Sequence, residues 1–237
     1  MATRTISFAE NEFYHIYNRG TDKRVIYQSP ADYQRFLELL FLANSGNSFN
    51  IRDVRQNNPK RDIFSLDRGE PLLAVGAYCL MPNHFHLLVK PLKDGGVSKF
   101  MNKLTTGYSM YFNKRYERTG ALFEGCFKAK HSDSDEYLKY LFSYIHLNPM
   151  KLYKSKWREE GVDTKEAFDY LNQYSHSSFL EYIGSERNVS SILERGQFPE
   201  YFSERQTMEA ELFSWLTFGD DPEGNPRDFP RVPLGAL

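Results

Sequence analysis

The stretch PLLAVGAYCLMPNHFHLLVK, residues 71–90, decides the fold of this chain. A short Met-Pro-Asn turn separates its two apolar runs, and this pattern predicts a pair of strands joined as a hairpin. The first run, residues 71–80, predicts a buried strand. In the second run, strand periodicity places His84 and His86 on one face and turns Phe85 to the other face.

The segments around this hairpin predict a single sheet with helices. A strand at residues 12–20 and a helix after Pro30 precede the hairpin, and a helix, a strand and another helix follow it up to Pro149. The order β-α-β-β-α-β predicts an α+β fold with a ferredoxin-like antiparallel sheet and helices packed on one face. The polar residues 46–70 predict a long loop or an insertion.

The pattern becomes less regular after residue 150. We therefore predict a catalytic domain at residues 1–150 and a C-terminal extension at residues 151–237, mostly helical in its ordered part. The tail at residues 220–237 is rich in Pro and Gly, which predicts that it is disordered.

Composition limits the classes of protein to consider. The 237 residues are 41% hydrophobic and 26% charged, and no apolar run is long enough to cross a membrane. Two cysteines make no disulfide framework, so we expect a cytoplasmic protein. The net charge of -1 argues against general nucleic-acid binding, but residues 99–130 carry seven Lys and Arg against two Glu.

The spacing of His84 and His86 allows both imidazoles to bind one metal ion, although two surface histidines would show the same pattern. Cys79 is a possible third ligand of a zinc site. Another candidate is the helix ending in SYIHLNP, where Tyr144 and Asn148 are four residues apart and share a face. Asn148 offers a carbonyl oxygen to a metal.

Tyr144 could equally be a core residue of this tyrosine-rich chain. A tyrosine beside a metal can act as a nucleophile. Composition alone does not distinguish Tyr144 in this role from other tyrosines, namely Tyr108, Tyr111, Tyr116, Tyr137 and Tyr140.

Four stretches together resemble the single-tyrosine HUH transposases, most closely the branch called REP-associated tyrosine transposases. They are YHIYNRGTDKRVIY at 14–27, PNHFHLLV at 82–89, GYSMYFNKRYERTGALFEGCFK at 107–128 and YIHLNPMK at 144–151. The resemblance covers about residues 12–184. It departs from the family pattern where a usual Gly-Arg-Phe-Lys reads Gly-Cys-Phe-Lys and a common Trp-Ser-Ser-Tyr reads His-Ser-Ser-Phe.

The resemblance implies a role for four residues. His84 and His86 would be the metal-binding pair, Asn148 the third ligand of Mg²⁺ or Mn²⁺, and Tyr144 the nucleophile. The implied activity is that of a transposase or endonuclease, which cleaves and rejoins single-stranded DNA near hairpins through a 5′-phosphotyrosine. The alternative is a domesticated relative that binds hairpins without cutting them.

The resemblance also concerns the partners. Single-stranded DNA with hairpin structure is the expected ligand, and no membrane is expected. We expect a monomer, with a homodimer as the alternative because insertion-sequence relatives form dimers. Basic side chains are candidate contacts to the DNA backbone, namely Arg19, Lys23, Arg24, Lys103, Lys114, Arg115, Lys128 and Lys130.

Overall fold

The computed structural model describes residues 7–200 and 205–217. The predicted disordered tail lies outside these residues. Four strands form one antiparallel sheet in the order β2-β3-β1-β4. The strands are β1 Phe13–Arg19, β2 Leu73–Met81, β3 His84–Pro91 and β4 Lys128–Ser132. The hairpin predicted at residues 71–90 is therefore formed by β2 and β3, the two strands on one side of the sheet.

Helices connect and cover these strands. The α-helices of the described residues are α1 Pro30–Ala43, α2 Ile51–Asn57, α3 Gly96–Arg115, α4 Asp135–Leu147, α5 Met150–Tyr153, α6 Trp157–Glu160, α7 Thr164–Gln173, α8 Phe179–Tyr182 and α9 Arg205–Thr217. Short 3-10 turns occur at Thr21–Lys23, Ile63–Ser65, Asn188–Ile192 and Arg195–Gln197.

The first core lies between the sheet and the helices α1 and α3. Phe85 of β3 is fully buried in it, and its ring packs 5.1 Å from the ring of Phe36 on α1. Phe100 and Leu104 of α3 fill the same core. The strand order and the two helices on this face confirm the predicted α+β, ferredoxin-like class.

The second core lies on the opposite face of the sheet. Here α4 and the C-terminal extension pack against side chains of β2 and β3 such as Cys79 and Leu88. The expectation of helices on one face thus holds for α1 and α3 and is wrong for α4. The physical reason is that β2 and β3 are buried on both faces, so each face needs a covering layer.

The polar segment at residues 46–70 is not a continuous loop. It forms the short helix α2, which begins where the Asn50 side chain accepts a hydrogen bond from the backbone N–H of Arg52 at 3.0 Å. Such a cap satisfies an otherwise unpaired helix donor. The expectation of a long loop is corrected for this stretch.

The extension also covers the open edge of β2. Leu80 donates its backbone N–H to the carbonyl of His176 at 2.9 Å, and Ser178 donates to the carbonyl of Tyr78 at 3.0 Å. An edge paired in this way is protected from association with other chains. The division at residue 150 stays a prediction, but the described part of the extension shares a core with the sheet. No described helix is long and apolar enough to cross a membrane.

Gly76 offers a test of that shared core. A Cβ added at Gly76 would lie 2.5 Å from the ring of Phe198 in the extension, so we expect Gly76→Ala to destabilise the protein by about 1–3 kcal/mol through overpacking. Urea unfolding measures the change. Gly196→Ala is the matched control, since nothing lies within 4 Å of its added Cβ. Equal stability of the two variants would contradict this packing.

Candidate active site

Strand β3 carries His84 and His86 on the face of the sheet that α4 covers. Side chains alternate along a strand, and Phe85 between them therefore enters the opposite core. His86 is fully buried and His84 is 8% exposed. The centroids of the two imidazole rings lie 4.9 Å apart, with the rings nearly perpendicular. The hairpin thus brings two imidazoles together beneath helix α4.

The Nδ1 atom of each imidazole is within hydrogen-bond distance of a neighbouring side chain. His84 Nδ1 lies 2.6 Å from Asn83 Oδ1, and the Asn83 amide nitrogen donates to the carbonyl of Lys23 at 3.2 Å. His86 Nδ1 lies 2.8 Å from Nε2 of His15 on β1. Such contacts orient an imidazole and set its tautomer. With Asn83 as acceptor, His84 carries its proton on Nδ1 and keeps the Nε2 lone pair free.

His15 and Asn83 are site residues that the sequence did not predict. The signal for His15 is the alternation in Tyr14-His15-Ile16-Tyr17, which puts His15 and Tyr17 on one face of a strand. Only the register shows that this is the face of the histidine pair, since Tyr17 pairs with His86 across β1 and β3.

Helix α4 brings Tyr144 and Asn148 to the histidines. It begins where the Ser134 side chain accepts a hydrogen bond from the Tyr137 backbone N–H at 3.1 Å, and it ends at Asn148 before Pro149. The Asn148 amide nitrogen donates to the carbonyl of Tyr144 at 2.8 Å. This bond turns the amide so that its oxygen remains available.

Four buried polar atoms of this site have no hydrogen-bond partner in the described part of the chain: His84 Nε2, His86 Nε2, Asn148 Oδ1 and Tyr144 Oη. The Tyr144 ring stands edge-on to the His86 ring at 5.5 Å between centroids. An unpaired buried polar atom costs about 1–3 kcal/mol. Two imidazole nitrogens and an amide oxygen form a donor set that fits Mn²⁺ well and Mg²⁺ less closely.

Burial decides the protonation of the site. It lowers the pKa of His84 to about 3 and that of His86 well below its usual value, with the nearby Lys151 acting in the same direction. Both imidazoles are therefore neutral at pH 7, the form that binds metals. Burial also raises the pKa of Tyr144, while Arg158 and the Asn148 side chain oppose that rise. The phenol is therefore protonated at neutral pH.

The zinc alternative has little support in the geometry. Cys79 pairs with His86 across β2 and β3, but burial raises the pKa of its thiol far above neutral pH, and zinc binds the thiolate. Within residues 7–200 and 205–217, no group of three His, Cys, Asp or Glu side chains is arranged to hold a metal.

The rival tyrosines divide between the two faces of the sheet. Tyr108 belongs to the core under α3, and its hydroxyl donates to the carbonyl of Ile26. Tyr111 and Tyr116 donate to Asp32 at 2.9 and 2.6 Å. These three phenols lie away from the histidine pair and already have acceptors.

Tyr137 and Tyr140 accompany Tyr144 on α4. The ring of Tyr140 stacks on that of Tyr144 at 5.8 Å between centroids. Of the three tyrosines, Tyr144 is the one whose ring contacts the His86 ring. Position on the helix therefore favours Tyr144 over its neighbours.

Five of the candidate DNA contacts lie near this face or at its edge. Lys128 and Lys130 of β4 pair with Tyr17 and His15, so their side chains share the face of the histidines. Arg19 pairs with His84 across the sheet and makes an ion pair with Glu124.

Lys23 and Arg24 lie in the turn that follows β1. The carbonyl of Lys23 accepts a hydrogen bond from Asn83, beside His84, and the Lys23 side chain is exposed. Arg24 contacts Asp22 at 3.4 Å.

The other three candidates lie on α3, which covers the opposite face. Lys103 donates to the carbonyls of Ser45 and Asn47. Lys114 is exposed, and Arg115 lies 3.5 Å from Asp32. The fold therefore separates this group from the histidine pair, and its contact with DNA stays a prediction.

Comparison with known proteins relates the site to a family. Residues 70–148 match the model of the family described as transposase, IS200 like. The chain is similar to the IS200-like transposases. The match runs from the start of β2 to the end of α4 and includes the two histidines, Tyr144 and Asn148, and it confirms the resemblance that the motifs indicated.

Two further comparisons complete this result. No curated protein sequence matches the chain. Among solved structures, one described as a REP-associated tyrosine transposase bound to a REP hairpin matches with a TM-score of 0.48 and 12% sequence identity. The alignment covers 84% of this chain and 89% of that chain.

Proposed function

We propose that this protein is a metal-dependent tyrosine transposase or endonuclease that cleaves and rejoins single-stranded DNA near hairpins. The observation that supports the proposal is the group of unpartnered buried atoms, His84 Nε2, His86 Nε2, Asn148 Oδ1 and Tyr144 Oη. Three of these atoms suit a divalent cation and the fourth is a nucleophile. The resemblance to IS200-like transposases supplies the substrate class.

The roles of the residues follow from their chemistry. His84, His86 and Asn148 would hold Mg²⁺ or Mn²⁺, which when bound supplies Lewis-acid polarisation of a phosphate oxygen. Tyr144 Oη attacks the phosphorus and the phenol proton is lost to solvent or a base. The bond to the 3′-oxygen of the preceding nucleotide breaks, and this oxygen takes up a proton from solvent or the same base to become a hydroxyl. The product is a 5′-phosphotyrosine.

The second half of the reaction reverses the first. A 3′-hydroxyl of another DNA end attacks the phosphotyrosine and loses its proton to solvent or a base, and the Tyr144 oxygen leaves and recovers a proton. The phosphodiester bond count is conserved, so no nucleotide hydrolysis is required. The energy of the cleaved bond is kept in the covalent link to Tyr144.

A covalent trapping assay tests this proposal. The protein is incubated with a labelled hairpin oligonucleotide that carries a single-stranded extension, in Mn²⁺ or in EDTA. We expect a denaturant-resistant adduct in Mn²⁺ that maps by peptide mass to Tyr144. A complete absence of adduct, or an adduct on another residue, would disprove the proposed reaction.

The second candidate function is a hairpin-binding protein that does not cut. The buried state of Tyr144, which is 3% exposed, favours it because a buried phenol is less accessible to a phosphate. Hairpin binding that is the same in Mn²⁺ and EDTA, together with no nicking, would support this alternative.

A monomer fits the position of Tyr144. The tyrosine faces histidines of its own chain, with its ring 5.5 Å from that of His86 and 5.9 Å from that of His15. We propose that one chain completes the site. Light scattering under assay conditions would show a monomer, whereas an active dimer would favour exchange of α4 between subunits.

His15→Ala is expected to weaken Mn²⁺ binding by roughly 10–100-fold, the usual cost of losing a residue that orients a metal ligand. Its Nε2 contacts His86 Nδ1 at 2.8 Å, and without it the His86 ring loses its fixed orientation. Calorimetric titration measures the affinity. His131→Ala is the control, since this exposed histidine contacts Glu12 instead. Unchanged affinity in His15→Ala would remove His15 from the site.

A further inference from the structure

Two cations beside Tyr144 have no role in the reaction described so far. Lys151 Nζ lies 5.6 Å from the centroid of the Tyr144 ring, and the guanidinium carbon of Arg158 lies 5.7 Å from the same centroid. Lys151 is on α5, and its backbone N–H donates to the carbonyl of Asn148 at 3.1 Å. This hydrogen bond fixes the backbone of Lys151 relative to the end of α4, which carries Tyr144.

Neither cation has an acidic partner in the described part of the chain. Among the residues that the structure describes, no carboxylate oxygen lies within 4 Å of a side-chain nitrogen of Lys151 or Arg158. By contrast Lys154, three residues after Lys151, pairs with Glu160 at 3.4 Å. No carboxylate of residues 7–200 or 205–217 therefore compensates the positive charge beside the tyrosine.

This arrangement is costly for the protein alone. Lys151 is partly buried and Arg158 is exposed, and both lie within 6 Å of the centroid of one ring. Attraction of a cation to an aromatic ring is modest and does not remove the repulsion between two cations at one ring. An anion bound by both would offset the burial of the lysine and the repulsion together.

We propose that Lys151 and Arg158 form a phosphate-binding site, and that its ligand is a backbone phosphate of the DNA strand that Tyr144 attacks. This inference rests on the proposed function. Arginine binds two phosphate oxygens with its planar fork, and lysine adds a compact charge. A phosphate held by both side chains lies beside the phenol. Proximity of this kind is what an in-line attack requires.

Arg158 contributes a second effect through its charge. Its guanidinium carbon lies 5.7 Å from the centroid of the Tyr144 ring. Positive charge near the Tyr144 oxygen stabilises the phenolate, the form that attacks phosphorus and that leaves in the rejoining step. The same side chain thus favours substrate binding and the charge that develops on the tyrosine.

DNA binding without cleavage tests the site. Fluorescence anisotropy measures the affinity for a labelled single-stranded oligonucleotide next to a hairpin, in EDTA and at several salt concentrations. We expect Lys151→Gln and Arg158→Gln each to weaken binding roughly ten-fold, and to reduce the slope of log affinity against log salt by about 0.7. Lys151→Arg should keep most of the affinity.

The control is Lys165→Gln, which removes one charge from an exposed lysine paired with Asp169. Wild-type affinity and salt slope in both Lys151→Gln and Arg158→Gln, or no binding by the wild-type protein, would overturn the phosphate site. Circular dichroism shows whether Lys151→Gln is folded. If it is unfolded, the DNA affinities of Arg158→Gln, which changes an exposed residue, and of Lys151→Arg decide the outcome.

Failure of this site and failure of the proposed reaction give different results. A protein that forms no adduct in Mn²⁺ but loses DNA affinity in both variants has the phosphate site without the chemistry. A protein that forms the adduct and binds DNA equally in all variants has the chemistry without this site.

Discussion

Tyr144→Phe is expected to reduce formation of the covalent DNA adduct at least about a thousand-fold, because the variant lacks the attacking oxygen. The fold should tolerate the change. The phenylalanine ring can keep the edge-on packing against His86 at 5.5 Å, and the hydroxyl that is removed has no hydrogen-bond partner. Binding of Mn²⁺ and of DNA should therefore remain within a few-fold of the wild type.

Tyr140→Phe is the matched control for this variant. Tyr140 is one helical turn earlier on α4, and its ring stacks on that of Tyr144. Adduct formation at close to the wild-type rate is expected, since the metal-binding atoms lie beside Tyr144. Wild-type adduct formation in Tyr144→Phe, or loss of the adduct in Tyr140→Phe, would show that Tyr144 is not the nucleophile.

Local periodicity explains how much of the site could be predicted from the sequence. A period of two puts His84 and His86 on one face of β3, and a spacing of four puts Tyr144 and Asn148 on one face of α4. Both patterns depend only on neighbours along the chain. The family resemblance was needed to connect the two faces, since nothing local places α4 over β3.

The features that the sequence did not reveal depend on contacts between distant segments. His15 meets His86 only because β1 lies beside β3 in a particular register. Asn83 looked like a turn residue, yet its amide bridges Lys23 and His84. The irregular sequence pattern after residue 150 likewise did not predict that Lys151 and Arg158 lie beside Tyr144.

The position of α4 has the same explanation. A strand that is apolar on both faces predicts burial on both sides, but it does not say which helix covers which face. The two long helices within the β-α-β-β-α-β order, α1 and α3, cover one face of the sheet. The second layer needed α4 and the extension, whose described helices end at Thr217.

The metal-free protein is expected to lose at least about 3 kcal/mol of unfolding free energy between pH 7.5 and pH 5.5. Burial lowers the pKa of three histidines to about 3 in the folded state, namely His15, His84 and His146. In the unfolded chain a histidine titrates near 6.5, so below that pH the unfolded state binds protons that the folded state refuses. At pH 5.5 each histidine costs roughly 1 kcal/mol.

The sign of the effect is fixed by the direction of these shifts. A lowered histidine pKa contributes no penalty above about pH 6.5 and an increasing penalty as the pH falls towards 3, with His86 adding in the same direction. Carboxylates of ordinary pKa remain charged down to pH 5.5, so this window isolates the histidines. The loss is large beside a typical stability of about 5–15 kcal/mol.

Urea unfolding at the two pH values, in EDTA, measures the loss. His146→Gln can keep a hydrogen bond to Ser178, which the imidazole now contacts at 2.7 Å, but it cannot titrate. The variant should therefore lose roughly 1 kcal/mol less than the wild type over the same window. A stability that stays flat from pH 7.5 to 5.5 would mean that these histidines accept protons in the folded state. The neutral imidazoles on which the proposed metal site depends would then be absent in mild acid.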